Sequence, residues 1–176
     1  GVKTSFMSMD GIKPFIQLPL SDKQHEFSLS SKEKLEFDQS RLQLIEQWKP
    51  RVVIVCARWS LIEPSEPTDL LDFLNEHTSR ILLIEQPPEI EGLGDRSALQ
   101  YVAYRGFAPQ EGVKRYLPIG NKEEYERGRQ LIRNLAADSA KIGIIPTHDL
   151  YSNGEETLVL EDDQVIYMDD DHLTSY

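Results

Sequence analysis

The chain has 176 residues, 39% of them hydrophobic, and 19 Lys and Arg against 30 Asp and Glu give a formal net charge of −11. That length and apolar share suit one folded domain with a real core and exclude a disordered composition. The acidity argues against sequence-independent nucleic-acid binding, which needs cations on phosphates, and against docking onto anionic lipid.

In chain order, Val2-Lys3-Thr4-Ser5-Phe6-Met7 alternates as a strand and ends at Met9-Asp10-Gly11. Ser21 to Ser30 is polar loop, and Ser30 with Glu33 has the spacing of a capping box. A mostly helical apolar stripe of Leu35, Phe37, Leu42, Leu44, Ile45 and Trp48 follows, up to Lys49-Pro50. The β-branched run from Arg51 to Ala57 predicts a parallel strand buried on both faces. Its Cys56 is the only cysteine, so no disulfide or cysteine metal site forms within the chain, and burial as a small hydrophobe is expected.

Thr68 is placed to cap a helix carrying Leu70, Leu71, Phe73 and Leu74, and Arg80 to Glu85 reads as the next buried strand. Residues 89–120 show no clean period and read as a functional loop or lid. Asn121 then caps a helix to about Ala137, with Tyr125, Leu131, Ile132 and Leu135 inward. Lys141 to Pro146 is a short strand, and Thr157–Leu160 with Val165–Tyr167 predicts a hairpin. Strands alternating with helices predict an α/β fold, a three-layer α/β/α sandwich on a flavodoxin-like parallel sheet. Its strands lie near residues 2–8, 51–57, 80–85 and 142–145. No stretch reaches the ~18 apolar residues of a membrane helix, and no signal peptide is visible.

In such sheets ligands bind beyond the carboxyl ends of strands, where Asp10-Gly11, Arg58-Trp59, Gln86-Pro87 and Asp169 to His172 all fall. Asp169 and His172 have D-x-x-H spacing after an apolar run. An acid so placed can turn back to accept a hydrogen bond from the imidazole, fixing its tautomer and raising its basicity. The bland alternative is a solvated acidic turn. The Asp169-Asp170-Asp171 triplet also suggests a divalent cation, but it lacks the spaced partners of a calcium loop, so no metal is assigned.

Arg58 at a strand end suits a carboxylate, a phosphate or a developing oxyanion, or else pairs with one of many acids; Trp59 can simply cover the sheet edge. Gly11 either lets backbone N–H groups approach a ligand or only serves a turn. His148 reads as structural, and His25 and His77 carry no signal. There is no Gly-Asp-Ser, no G-x-S-x-G elbow, no Walker loop and no dinucleotide fingerprint. A candidate base and acid are present without an identifiable nucleophile.

At these residues the chain resembles the SGNH hydrolase-like domain, in the version fused behind acyltransferase family three membrane proteins. The strand Val52 to Trp59 is similar to that version's "vvilaarW" strand, and Tyr167 to Thr174 to its terminal "yyDddHLs" motif. The resemblance implies a triad completed by a serine from a Gly-Asp-Ser-His block N-terminal to Gly1, so the sequence looks like an excised piece of a longer protein. It implies Gly11 as the oxyanion glycine. Ala57-Arg58-Trp59 stands where the general family has a Gly-x-Asn-Asp asparagine, which leaves that donor in doubt.

Under this resemblance the parent is a serine esterase or O-acyltransferase acting on ester-linked acyl groups of glycans. No cofactor is expected. The partners are an acylated glycan or acyl donor and an N-terminal membrane acyltransferase domain, with an extracytoplasmic location. The alternative is a non-catalytic glycan-binding or interaction module that keeps the fold. On either reading these 176 residues alone are expected to be inactive.

Overall fold

The computed structural model describes Ser5 and residues 31–93, 96–108, 110–168 and 172–174. Apart from Ser5, the expected strand at residues 2–8 lies outside the described residues, as do the Ser30 cap, Gly11 and Asp169. Helix α1 (Ser31–Trp48) is followed by strand β1 (Val52–Cys56) and a 3₁₀ turn (Trp59–Leu61). Then come α2 (Thr68–His77), β2 (Arg80–Ile84), α3 (Ala98–Tyr104) and β3 (Lys114–Pro118). The chain continues through α4 (Lys122–Ala137), β4 (Ile142–Ile145), α5 (His148–Tyr151), β5 (Glu156–Glu161) and β6 (Gln164–Val165).

The apolar runs pair as read. β1, β2 and β4 form a parallel sheet in the order β1-β2-β4, with Val55 opposite Leu83 and Leu83 opposite Ile144. Helices flank this sheet, giving the expected α/β sandwich. Val55, Ile81, Leu83 and Ile142 join Trp59 with Leu70, Leu71 and Leu74 of α2 and Leu131 and Ile132 of α4 in one apolar cluster.

Burial of β1 on both faces is not what the described residues show. Val53 and Val55 face the cluster, while Val52 and Ile54 are 48% and 56% exposed and Cys56 is exposed too. Alternation explains it: successive strand residues point to opposite faces, and only one face meets α2 and α4. Cys56 is therefore not the buried hydrophobe expected, although its partial burial pushes the thiol pKa up.

Residues 89–120 are not an irregular lid either, since they contain α3 and β3. β3 pairs antiparallel with β5, which forms the anticipated hairpin with β6 through Asp162 at φ 56°. This second sheet builds its own cluster from Leu117, Leu158, Leu160, Ile166 and Tyr167 with Tyr101 and Val102 of α3. Helix α2 begins at Thr68 with Pro67, not Thr68, at its cap. Asn121 occupies the α4 cap position at φ 45°, without a capping bond from its side chain.

Candidate active site

The chain leaving β1 is pinned to the chain leaving β2. The indole N–H of Trp59, a residue 1% exposed, donates to the Ile84 carbonyl at 2.7 Å. The Ser60 N–H donates to Gln86 Oε1 at 3.0 Å. From α4, the Arg127 guanidinium donates to the Ser60 carbonyl at 2.6 Å. These bonds fix the backbone that carries Arg58.

The Arg58 side chain meets Glu89 edge-on. Its Nε donates to Oε1 at 3.1 Å and its terminal nitrogen Nη2 lies 2.9 Å from Oε2. Glu89 is 2% exposed, and a carboxylate buried that deeply must be paired and hydrogen-bonded. Besides Arg58, Gln86 Nε2 at 2.7 Å and Ser60 Oγ at 3.3 Å donate to its Oε1, and Asn121 Nδ2 at 3.4 Å to its Oε2. The Glu89 carbonyl accepts from Gly120 N–H at 2.9 Å.

One residue earlier, the Pro88 carbonyl accepts from the Tyr167 hydroxyl at 2.6 Å. The same hydroxyl shares a hydrogen bond with Thr157 Oγ1 at 3.0 Å, and burial pushes the Tyr167 pKa up. Tyr167 lies on a segment paired with the one that bears His172. Met168 N–H donates to the His172 carbonyl at 2.7 Å, and Tyr167 bridges Leu173 in antiparallel fashion. Thr174 N–H donates to the Ile166 carbonyl at 2.9 Å, which completes the reversal. His172 is exposed. Thus Arg58 is joined directly to Glu89, and the segment bearing His172 is tied to the same loop through Tyr167. The partner expected for His172, Asp169, and the expected oxyanion glycine, Gly11, lie outside the described residues.

A second polar cluster sits one step along the sheet. Glu85 directly follows β2 and is 4% exposed. Its Oε1 accepts from Arg129 Nε at 2.8 Å, and its Oε2 accepts the backbone N–H groups of Thr147 and His148, each at 3.0 Å. Burial alone would raise the Glu85 pKa, but Arg129 and the two N–H groups outweigh it and the net shift is downward. His148, read as structural, is packed into this cluster. It is buried, and its Nδ1 shares a hydrogen bond with the Tyr125 hydroxyl at 3.0 Å. Burial, then the charge of Arg129, lowers its pKa below the ordinary 6.5.

A cavity of about 250 Å³ borders this cluster, lined by Glu85, Arg129, Arg133, His148 and Asp149 among others. Another of about 350 Å³ lies against the β5–β6 hairpin. Neither is lined by Arg58 or His172. No cluster of metal-ligating residues occurs among the described residues. No helix among them is long and apolar enough to cross a membrane.

Sequence reading missed Glu89, Glu85 and Tyr167. The available signal was an acid at or just past the end of a buried strand, in Glu85-Gln86-Pro87-Pro88-Glu89.

The family model described as the SGNH domain, fused to AT3 domains, matches residues 1–176. No curated protein matches the chain. Among solved structures, the fold is similar to the periplasmic domain of a lipopolysaccharide acetyltransferase from Salmonella ser. Paratyphi A. The TM-score is 0.58 at 16% sequence identity, over 80% of this chain and 57% of that one. This chain therefore spans just over half the length of that domain.

Proposed function

The chain belongs to the family of SGNH domains fused to AT3 domains, and on that premise we propose that the full-length protein modifies ester-linked acyl groups on glycan hydroxyls, as a serine esterase or O-acyltransferase. His172 is the general base and Asp169 orients its imidazole. The nucleophile is a serine N-terminal to Gly1. His172 takes the serine proton as the hydroxyl attacks the ester carbonyl, and returns it to the departing alcohol. Backbone N–H groups near Gly11, with the Arg58 guanidinium, stabilise the oxyanion that develops.

The observation that carries this reading is the Tyr167–Pro88 hydrogen bond of 2.6 Å. It holds Tyr167, whose segment pairs with the one bearing His172, against the loop whose next residue, Glu89, binds Arg58. The segment that carries His172 and the Arg58 side chain are thereby both attached to one loop beyond the carboxyl end of β2, and this supports a site there, where α/β sheets place their ligands. The resemblance in fold to the periplasmic domain of a lipopolysaccharide acetyltransferase supports a glycan acceptor and an extracytoplasmic location. The family description supports a membrane acyltransferase domain as partner in the same polypeptide.

His172→Ala in the full-length protein is expected to reduce acyl-ester turnover by several orders of magnitude, as loss of a triad base does. Turnover equal to wild type would remove His172 from the mechanism. The 176-residue chain by itself should be silent towards p-nitrophenyl acetate, because general-base help alone is worth only about 10²–10⁴-fold. A burst with fluorophosphonate labelling of Ser5, Ser8 or Ser175 would place the nucleophile inside the chain instead.

A further inference from the structure

We infer that Glu89 is a positioning residue for Arg58. It holds the guanidinium by one edge and so fixes the orientation of the group at the carboxyl end of β1. This deepens the reading of Arg58 as an oxyanion donor and rests on it.

Burial divides the pair unequally. The Glu89 side chain is 3% exposed and that of Arg58 is 37% exposed. The carboxylate is therefore the fixed end of the pair and the cation the presented end. Nε and one terminal nitrogen, Nη2, face Glu89, so planarity turns the remaining terminal nitrogen away from it. Glu89 cannot follow Arg58 if the arginine moves. Gln86, Ser60 and Asn121 hold its two oxygens, and Gly120 N–H holds its carbonyl.

The backbone beneath Arg58 is equally constrained by the Trp59 and Ser60 bonds to the chain leaving β2. A buried ion pair is weak evidence of stabilisation, since apolar residues of similar volume often serve as well. A guanidinium oriented in advance is of specific use where negative charge appears only in the transition state. In a chain of net charge −11, an arginine without such a clamp has many other carboxylates to pair with.

The test is a mutant cycle on acyl-ester turnover by the full-length protein, with Arg58→Ala, Glu89→Gln and the double variant. Arg58→Ala is expected to lower kcat by about 10²–10³-fold, the scale of a lost oxyanion donor. Glu89→Gln should lower kcat by at least about 10-fold with KM little changed, and the double variant should be no worse than Arg58→Ala alone. Multiplying effects, or wild-type kcat in Glu89→Gln, would overturn the assignment.

Arg58→Lys leaves Glu89 in place and keeps the charge but cannot make the edge-on contact. It should fall as far as Glu89→Gln, and it keeps the proposal falsifiable if that variant does not fold. Full turnover in Arg58→Ala beside an inactive His172→Ala overturns the positioning role and leaves the His172 reading intact. Full turnover in His172→Ala defeats that reading instead, and the Arg58–Glu89 coupling is still decided by the same cycle.

Discussion

Gly128 sits in α4 where the helix backbone passes the 3₁₀ turn behind Arg58. A Cβ there would lie 2.7 Å from Ser60 N and 2.8 Å from the Trp59 carbonyl carbon, both backbone atoms. In an open helix, Gly→Ala gains about 1 kcal/mol. Here the added methyl must push two backbones apart, and overpacking costs about 1–3 kcal/mol. Gly128→Ala should therefore destabilise the protein by a net of up to ~2 kcal/mol, read from the shift in its urea midpoint. It should also lower turnover, because the displaced turn carries Arg58. A gain in stability would mean that α4 can slide away at little cost. Nothing in the pattern around Gly128 announces this contact, because a helical stripe records which face is apolar and not which neighbour presses on it.

The link from β2 to β4 carries the acid-sensitive groups. His148 is held below its ordinary 6.5 when folded, so the unfolded chain takes up the proton first. The stability this gives is fully present above about 6.5 and is lost as pH falls from there towards the folded value. Glu85 is held below its ordinary 4.5, so its contribution is present above that value and is lost as pH falls through the lowered folded value. Thermal melts of the protein should show two successive losses on acidification. His148→Gln should flatten the upper one and spare the lower. A wild-type melting temperature unchanged between pH 7 and 5.5 would contradict the role given to His148.

At this scale the parallel strands were legible, because their apolar runs are continuous and need no knowledge of partners. The stretch from 89 to 120 was not. Its buried residues Ile90, Tyr101, Val102, Leu117 and Ile119 are divided among a bridge, a two-turn helix and a short strand. Each piece is too short to establish a period. Arg58 and His172 were legible as candidates from their places after apolar runs. Glu89 was not, because its meaning comes from an arginine 31 positions away.

At the scale of the molecule, two apolar clusters stand on two sheets among the described residues, and the stretch from Glu85 to Ile90 runs between them. That stretch ties to α4 and β4 through Glu85 and to the β5–β6 hairpin through Pro88 and Tyr167. The parallel sheet's other face has a different consequence. Cys56 is the chain's single thiol and lies on that face beside exposed Ile54. The molecule thus contains its own gauge of surface occupancy. Its raised pKa makes maleimide capture slow near neutrality and faster as pH rises. Comparing that rate in the 176-residue chain with the rate in the full-length protein should reveal whether another part of the polypeptide shields this face. Equal rates would leave the valine and isoleucine of β1 facing solvent in both, while a strongly retarded rate in the longer protein would register a protecting layer without any engineered label.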